Sequence, residues 1–323
     1  MKRRAFLTVA VLALAATAVY GAWVYEGQWG KRGTGNGEFQ IPTDVAVGAN
    51  DLIYVVDSTN HRVQYFSENG SFRGKWGTPG TGSGQFTEPV GIAPGSRGDL
   101  YVTERRNHRV QFFTQTGSYV GGWGSQGSGD GEFNGPRGIA VAPGGNIYVA
   151  DTGNHRIQYF KVSGSKATFL GKWGSLGSGD GEFYNPDGVG FSLDGKVYVA
   201  DSMNHRVQYF TGAGSFLGKW GSKGTGDGEF DCPCDVAFLP DGTVLVTDLN
   251  NHRVQYFTAT GSFLGKWGKS GTGNGEFNKP GGITVKGPRA YIADELNDRV
   301  QYFKDTEYAV APASLGRVKA LFK

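Results

Sequence analysis

Short hydrophobic runs of five or six residues recur along the chain, and each run is bounded by glycine-rich polar turns. In one unit these runs are Pro186–Phe191, Lys196–Ala200, His205–Phe210 and Ser215–Trp220. Runs rich in Val, Tyr and Phe between Asp-Gly and Ser-Gly signals are typical of strands joined by tight turns. No segment inside these units has a helical period, so the pattern predicts four antiparallel strands per unit.

The unit repeats six times. A Trp-Gly pair, followed by a Gly-rich stretch and a Phe, recurs at intervals of 47, 47, 50, 47 and 47 residues, starting at Trp29, Trp76, Trp123, Trp173, Trp220 and Trp267. A second motif, Asn-His-Arg-Val-Gln-Tyr-Phe or a close variant, begins at Asn60, Asn107, Asn154, Asn204, Asn251 and Asn297. Units of about 40 to 50 residues with four strands are typical of propeller blades.

The two ends of the repeat region complement each other. The last unit lacks its Trp-Gly strand, and an isolated copy of that strand stands at Val24–Trp29. An unpaired blade edge is unfavourable. The sequence therefore predicts an all-β fold: a monomeric six-bladed β-propeller of four-stranded antiparallel blades, closed by the N-terminal strand. The predicted organisation is an export segment over residues 1–22, the propeller over 23–303 and a tail over 304–323, in which Ser314–Lys323 predicts a short helix capped by Ser314.

The repeats resemble the NHL family, named for an Asn-His-Leu-type triplet that stands here as Asn-His-Arg. The likeness extends over residues 24–303. It implies the six-bladed propeller and leaves function open, because the family includes RNA-binding modules, extracellular sensor domains and a zinc-dependent amidating lyase.

Composition and charge indicate a folded protein that is exported. The chain holds 55 Gly with 13% aromatic residues, which favours a packed fold with many turns over disorder. Lys2, Arg3 and Arg4 precede an apolar run from Ala5, the pattern of an export signal. If it is not cleaved, residues 5–24 are long enough to tether the protein to a membrane. We expect the domain to be periplasmic or extracellular, or anchored to the outer side of the cytoplasmic membrane.

Removing the three basic residues at positions 2–4 from the total of 32 leaves 29 basic against 29 acidic side chains. This balance argues against a nucleic-acid partner, which usually requires a basic surface.

Residues that occur in every unit are expected to build the blade. An Asp ends each second strand and an Arg follows five residues later, as Asp57 and Arg62, Asp151 and Arg156, Asp201 and Arg206, Asp248 and Arg253, and Asp294 and Arg299, with Glu104 and Arg109 in the second unit. We expect each pair to lock a hairpin through a forked ion pair, with the Asn side chain bonding the turn backbone.

All five histidines occupy one motif position. Zinc is the alternative for them, but blades splay apart, so we predict a structural role, with no metal and no cofactor.

Residues that differ between units are free to carry function. The position after each strand-opening proline is predicted to line the mouth of the central channel, and it is occupied by Thr43, Val90, Arg137, Asp187, Cys234 and Gly281. Arg105 and Arg106 are predicted to join Arg137 there, opposite Asp187, Asp235, Glu295 and Asp298. The predicted binding face is therefore bipolar, with Arg105, Arg106, Arg137, Asp187, Cys234 and Thr43 as its binding residues. Cys232 and Cys234 are expected to point the same way, and a soft-metal site or a redox pair are the functional alternatives for them. Two ligands alone make a poor metal site, so we favour a buried or oxidised pair without function.

These observations predict a binding scaffold for a protein, a peptide or a glycan, with no catalytic residue assigned. The first alternative is a metal-dependent lyase or lactonase-type enzyme on the same fold, which would need a few unique, convergent groups. The second is an RNA-binding NHL module, which the balanced charge and the export signal oppose.

Overall fold

The computed structural model describes residues 23–95 and 97–306. The export segment over residues 1–22 and the tail helix at Ser314–Lys323 lie outside the described residues. Within the part that is described, no helix is long and apolar enough to cross a membrane. The described helical structure is three short 3-10 turns, at Thr152–Asn154, Ser202–Asn204 and Glu295–Asn297.

The described residues form 24 strands in six four-stranded antiparallel sheets. The sheets follow one another around a ring, which confirms the six-bladed β-propeller. The strands of blades one to three are β2 (Pro42–Val47), β3 (Ile53–Asp57), β4 (Arg62–Phe66), β5 (Phe72–Trp76), β6 (Pro89–Pro94), β7 (Leu100–Glu104), β8 (Arg109–Phe113), β9 (Tyr119–Trp123), β10 (Ile139–Val141), β11 (Asn146–Asp151), β12 (Arg156–Ser163) and β13 (Lys166–Trp173).

Blades four to six continue the same order. Their strands are β14 (Pro186–Phe191), β15 (Val197–Asp201), β16 (Arg206–Phe210), β17 (Phe216–Trp220), β18 (Pro233–Phe238), β19 (Val244–Asp248), β20 (Arg253–Phe257), β21 (Phe263–Trp267), β22 (Pro280–Lys286), β23 (Arg289–Asp294) and β24 (Arg299–Asp305), with β1 (Trp23–Trp29) as the outer strand of blade six.

The ring closes through the N-terminal strand, as the sequence predicts. β1 pairs antiparallel with β24, from Trp23 opposite Asp305 to Trp29 opposite Val300. Trp23 stacks on Trp267 of blade five at a centroid distance of 4.6 Å. The closing strand therefore also contacts the neighbouring blade, and these contacts substitute for the hairpin that connects the third and fourth strands of the other blades.

Ion pairs add to this closure. Glu26 of β1 lies 2.5 Å from the Arg289 guanidinium of β23. Arg289 also contacts Glu68 of blade one, at 3.1 Å. Lys286 pairs with Glu68 and lies 2.9 Å from Asp51, so basic side chains of the last blade reach acids of the first.

The recurring Trp fills the space between adjacent blades. Each indole packs against the Phe that ends the Asn-His-Arg motif of the next blade. The centroid distances are 5.3 to 5.8 Å in the pairs Trp29–Phe66, Trp76–Phe113, Trp123–Phe160, Trp173–Phe210, Trp220–Phe257 and Trp267–Phe303. Contacts of this geometry stabilise a core beyond the area they bury. The tryptophan spacing in the sequence is thus the spacing of one blade interface to the next.

The glycine after each Trp is required by the backbone. Gly221 has a φ of +102°, and a Cβ there would lie 2.6 Å from the Phe230 ring. A residue with a side chain would meet both a disfavoured conformation and a clash. The predicted strands of blade four agree with the structure to within one residue at each end. The third strand begins at Arg206 because His205 is left-handed, with a φ of 54°.

Candidate binding site at the channel mouth

The repeated acidic and basic residues are fully engaged within the blades. In blade one, Arg62 Nε lies 2.6 Å from Asp57 Oδ2, and the other guanidinium nitrogens donate to the Thr34 and Glu38 carbonyls at 2.7 and 2.8 Å. The Nε–carboxylate distances of all six blades are 2.5 to 2.8 Å. Each arginine thus ties its hairpin to the adjacent Gly-rich loop, a wider role than the hairpin lock expected from sequence.

The motif asparagine also bonds this loop. Asn60 Nδ2 donates to the Gly33 carbonyl at 2.9 Å and to the Asp57 carboxylate, and the equivalent Asn–Gly bonds recur in all six blades. Its bond therefore goes to the Gly-rich loop that precedes the blade and not to its own turn. The Gly-rich loops are held by backbone carbonyl groups, which leaves their exposed side chains outside this network.

The five histidines link each blade to the next. Every histidine is left-handed, and its Nδ1 accepts the amide N–H of the residue that precedes the next strand-opening proline, at distances of 3.0 to 3.3 Å for His61, His108, His155, His205 and His252. Asp298 does the same in blade six, where its carboxylate accepts the Ile41 amide at 2.9 Å. The position therefore needs a left-handed acceptor, which explains why Asp replaces His once.

The hydrogen bond to the histidine Nδ1 occupies an atom that zinc would need as a ligand. Among the described residues, one set of three ligand types lies within 4.8 Å: His205, Asp231 and Cys232. In that set His205 Nδ1 already accepts the Cys232 amide at 3.2 Å. The set does not include any residue of the channel-mouth ring predicted from sequence.

Five of the six positions that follow the strand-opening prolines line the channel cavity: Thr43, Val90, Arg137, Asp187 and Cys234. The Thr43 hydroxyl donates to the Val90 carbonyl of the next blade at 2.8 Å. Arg137 Nε lies 3.0 Å from Asp187 Oδ1, and the Cys234 sulfur lies 3.7 Å from Asp187 Oδ2. Blade six contributes Glu295, because Gly281 has no side chain.

Glu295 fills the space above Gly281. A Cβ on that glycine would lie 2.5 Å from Glu295 Oε1. Glu295 comes from the turn between the second and third strands of blade six, and it lines the channel cavity together with Arg137, Asp187 and Cys234. The mouth ring, as we call it below, consists of Thr43, Val90, Arg137, Asp187, Cys234 and Glu295.

A second layer of acids lies deeper in the channel. Asp44 and Asp235 occupy the same position in blades one and five, where the sequence places Gly in the other four blades. Each carboxylate accepts two backbone amides: Asp44 accepts those of Val45 and Ile92, both at 2.7 Å, and Asp235 accepts those of Val236 and Ile283 at 2.8 and 3.0 Å. Their oxygen atoms are therefore already bonded to the scaffold.

Burial makes these acids weak. It raises the pKa of Asp235 to about 7, and it raises that of Asp44 well above the ordinary value, with Asp235 adding to the effect on Asp44. Burial also raises the pKa of Glu295 to about 7, while Arg137 opposes the shift and Asp187 adds to it. The channel thus contains more carboxyl groups than its single arginine compensates.

The Cys234 sulfur is a thiol at neutral pH. Burial, followed by the charge of Asp187, raises the pKa of this group well above the ordinary range. Its S–H is therefore available to donate to Asp187. Cys232 has a left-handed backbone, with a φ of 57°, and precedes β18. Its sulfur bonds Asp231 instead, so the two cysteines have different partners and the strand alternation expected from sequence does not apply.

Two cavities border the mouth ring. One of 340 Å³ lies in the channel and reaches Thr43, Asp44 and Glu295. The other, of 420 Å³, lies on the face above blades two to five and is lined by Arg105 and Arg106. Both are lined by three shared residues, Arg137, Asp187 and Cys234.

The predicted arginine group is more compensated than the sequence suggests. Arg137 pairs with Asp187, as described above, and Glu88 lies 3.1 Å from Arg106 and 3.8 Å from Arg105. Glu88 precedes the strand-opening Pro89 and was not among the predicted face residues. Of the predicted acids, Asp298 is bonded to Ile41 and Asp235 lies in the channel wall. The face therefore carries both positive and negative side chains, but fewer of them are unpaired than the sequence suggests.

The fold and this mouth define a six-bladed propeller whose unrepeated polar groups surround a central opening. The sequence matches the NHL repeat family over residues 39–66, 86–113, 133–160, 183–210 and 230–257, one segment in each of blades one to five. The chain is an NHL-repeat β-propeller protein. A comparison with curated protein sequences found no significant match.

Several solved structures share the fold. The chain is similar to catalytically inactive virginiamycin B lyase from Staphylococcus aureus with quinupristin, at 15% identity and a TM-score of 0.58, covering 84% of this chain and 82% of the lyase. It is similar to a gluconolactonase from Xanthomonas campestris, at 14% identity and a TM-score of 0.59, covering 88% and 98%. It is also similar to a chain of a nidogen/laminin complex, at 16% identity and a TM-score of 0.58, covering 78% and 88%. At these identities the likeness shows the fold alone.

Proposed function

We propose that this protein is an extracytoplasmic binding domain that holds a peptide or an exposed protein segment at its channel mouth. The observation that carries this proposal is that repeated and unrepeated polar residues have different contacts. The repeated Asp, Arg, Asn and His side chains bond the scaffold, whereas unrepeated residues such as Arg105, Arg137, Asp187 and Glu295 line two neighbouring cavities. A concave site with a few unique polar groups is the usual form of a ligand site.

A peptide suits this site better than a compact small molecule. The face cavity spreads over blades two to five, so an extended ligand can lie along it. Exposed apolar side chains, Tyr184 and Met203 among them, stand on the same face and can contact such a chain. A nidogen/laminin complex among the similar structures supports a protein partner for this class of propeller. If the protein binds glycans and no peptides, a glycan replaces the peptide as the proposed ligand.

The extracytoplasmic location belongs to the same proposal. It is supported by the basic and apolar sequence of residues 2–19 and by the balanced charge of the remaining chain. Expression of the full chain, followed by protease digestion of spheroplasts whose outer envelope has been removed, tests it. Digestion of the propeller only after the cytoplasmic membrane is lysed would contradict the location.

The binding proposal is tested by panning the full-length protein against a random heptapeptide display library. Enriched peptides are then measured by fluorescence anisotropy against Arg105→Glu/Arg106→Glu and against a matched double reversal, Arg73→Glu/Lys75→Glu. The control residues are exposed on β5 and line neither cavity. The mouth reversal should weaken binding strongly and the control should not. Equal binding by both variants, or glycan-array binding without peptide enrichment, would overturn the proposal.

A second candidate function is an enzyme, favoured by one observation. Glu295, with a pKa of about 7, stands in a cavity beside Asp187, and a group of that pKa suits general acid–base catalysis. Lyase and lactonase structures with this fold support testing quinupristin and gluconolactone as substrates. Turnover lost in Glu295→Gln would favour the enzyme, and turnover equal to a buffer blank would discard these two substrates.

A further inference from the structure

The arginines of the scaffold and those of the face cavity differ in how many hydrogen bonds they donate. Each scaffold arginine donates to its carboxylate and to loop carbonyl groups, as Arg62 does through all three guanidinium nitrogens. Arg105, Arg106 and Arg137 each lie near a carboxylate, yet within the described residues none of the three guanidinium groups forms a hydrogen bond. A guanidinium group has five N–H donors. The face arginines therefore retain donors for a ligand.

Arg137 is the innermost of these three arginines. Its Nε is buried and has no hydrogen-bond acceptor among the described residues, although the Asp187 carboxylate lies 3.0 Å away. The side chain as a whole is 30% exposed and lines the face cavity. A buried donor without an acceptor is costly. A carboxylate that meets the exposed part of this guanidinium group would compensate for that cost.

The face cavity has an excess of positive charge. Its described lining contains the three arginines and one carboxylate, that of Asp187. Glu88, which lies outside the lining, is the second carboxylate that pairs with the arginines. Three guanidinium groups therefore face two carboxylates, and the excess of one positive charge favours an anionic ligand.

The other side of the same cavity is apolar. Met203 and Leu249 line it from the turns between the second and third strands of blades four and five, and Met203 is 41% exposed. Arg105 and Arg106 stand at the equivalent turn positions of blade two. In a ring of six, blade five lies opposite blade two. The face cavity thus has a guanidinium side and an apolar side that face each other.

The charge and size of the cavity select among anionic ligands. A carboxylate carries one negative charge, which matches the excess of one, whereas a phosphate group carries about −1.5 to −2 at pH 7. Arginine bonds the planar carboxylate group through paired hydrogen bonds. A small inorganic anion would leave the apolar side without a contact. The volume of 420 Å³ holds a short peptide segment.

On the basis of the proposed function, we infer that the face cavity binds a peptide through a carboxylate and a neighbouring apolar side chain. The carboxylate lies against Arg105, Arg106 and Arg137, and the apolar side chain contacts Met203 and Leu249. The C-terminus of a peptide and an Asp or Glu side chain present the same planar group, so either can supply the carboxylate.

Synthetic peptides with an N-terminal fluorescein test this inference by anisotropy at pH 7.5. One pair is Gly-Ala-Ala-Ala-Leu as the free acid and as the C-terminal amide. The other pair is Gly-Ala-Glu-Leu-Ala and Gly-Ala-Gln-Leu-Ala, both as amides. Each acidic peptide is also made with Ser in place of Leu. Loss of the carboxylate should weaken binding by about ten- to a hundredfold in at least one pair, which identifies its source, and loss of Leu should weaken binding by about tenfold.

The variants assign the two sides of the cavity. Arg105→Gln/Arg106→Gln should reduce the preference for the carboxylate and retain the preference for Leu over Ser. Met203→Ser/Leu249→Ser should do the reverse. The matched controls change exposed residues of outer strands that line neither cavity: Arg73→Gln/Lys75→Gln and Leu170→Ser/Leu217→Ser. Melting temperatures verify that each variant is folded.

The outcomes separate this inference from the function it rests on. Equal affinity within both acid–amide pairs, a carboxylate preference unchanged by Arg105→Gln/Arg106→Gln, or equal affinity for Leu and Ser peptides would overturn it. If only display-selected peptides bind, replacement of their acidic residues by the amides and of their apolar residues by Ser gives the same decision. The binding function would stand if selected peptides still lose affinity on Arg105→Glu/Arg106→Glu. If no selected or designed peptide binds, both are wrong.

Discussion

The closing strand offers the sharpest test of the fold, because β1 is held to β24 without a covalent hairpin. Deleting Val24–Trp29 removes Trp29, which is 9% exposed and packs against Phe66, Tyr291 and Tyr302. Loss of a buried Trp costs about 3–5 kcal/mol. The deletion also removes the bond of 2.7 Å between Arg299 and Gln28, and bonds to charged groups are worth about 1.5–3 kcal/mol.

These two contributions give a loss of at least about 5 kcal/mol, a large part of the net stability of a typical domain, about 5–15 kcal/mol. At about 2 °C per kcal/mol for a chain of this size, the melting temperature should fall by about 10 °C or more. Differential scanning calorimetry measures this loss. The exposed edge of β24 should also promote self-association, which light scattering after size exclusion detects.

A peptide supplied in trans makes the test specific. The synthetic segment Trp23–Trp29 should dock on the vacant edge and restore stability by mass action, by about 2.7 kcal/mol at a hundred times its dissociation constant. The same peptide with Trp29→Ala should not. A deletion variant that remains monomeric and melts within 2 °C of the full chain, a margin of about 1 kcal/mol, would refute this account of closure.

Three further predictions follow from the site and its scaffold. Arg206→Ala should cost about 3–5 kcal/mol in chemical denaturation, because it leaves the buried Asp201 unpaired, whereas Asp130→Ala, at an exposed ion pair, should cost less than about 1 kcal/mol. Glu295 has a folded pKa of about 7 against an ordinary 4.5, so the stability it contributes as a neutral acid is complete below about pH 4.5 and lost as pH rises through 7. The free energy of unfolding of the protein relative to Glu295→Gln should therefore decrease from pH 4.5 to 7.5, and an unchanged difference would contradict that pKa. Purified protein should contain no stoichiometric zinc by mass spectrometry of metals, and His155→Ala should lower stability without changing metal content; one zinc per chain lost in that variant would restore the lyase alternative.

The sequence predicts the fold well because one repeating interface dictates it. Trp173, Gly174 and Phe183 recur at fixed spacing in every blade, and each has a local reason: the indole packs on the next blade, the glycine is left-handed, and the Phe ring fills the space beside it. The strand ends and the closure by β1 follow from the same six copies. Because the pattern occurs six times, it predicts the strands and their order with little ambiguity.

The site is predicted less completely, because its geometry depends on contacts between different strands and blades. Counting from the strand-opening prolines identifies Thr43, Arg137, Asp187 and Cys234 on the channel, but it assigns Gly281 to blade six. The space above that glycine is filled by Glu295, which comes from a different turn. The sequence places Glu295 on the predicted face, but its position above Gly281 has no signature in the repeat spacing. Glu88 is not predicted at all, because it precedes β6 and pairs with arginines that follow the adjacent strand β7.

Variation between blades is therefore a necessary but insufficient sign of function in a repeat protein. Asp298 departs from the histidine at its position, yet it keeps the same bond to the next blade. Asp235 departs from glycine, yet both its oxygens accept backbone amides. Glu295 also departs from its counterparts; its side chain is half-buried, and no described residue donates a hydrogen bond to its carboxylate. The buried Nε of Arg137 likewise has no hydrogen-bond acceptor among the described residues, although Asp187 lies beside it. An unrepeated polar group whose hydrogen bonds the scaffold does not supply is a group that a ligand is expected to complete.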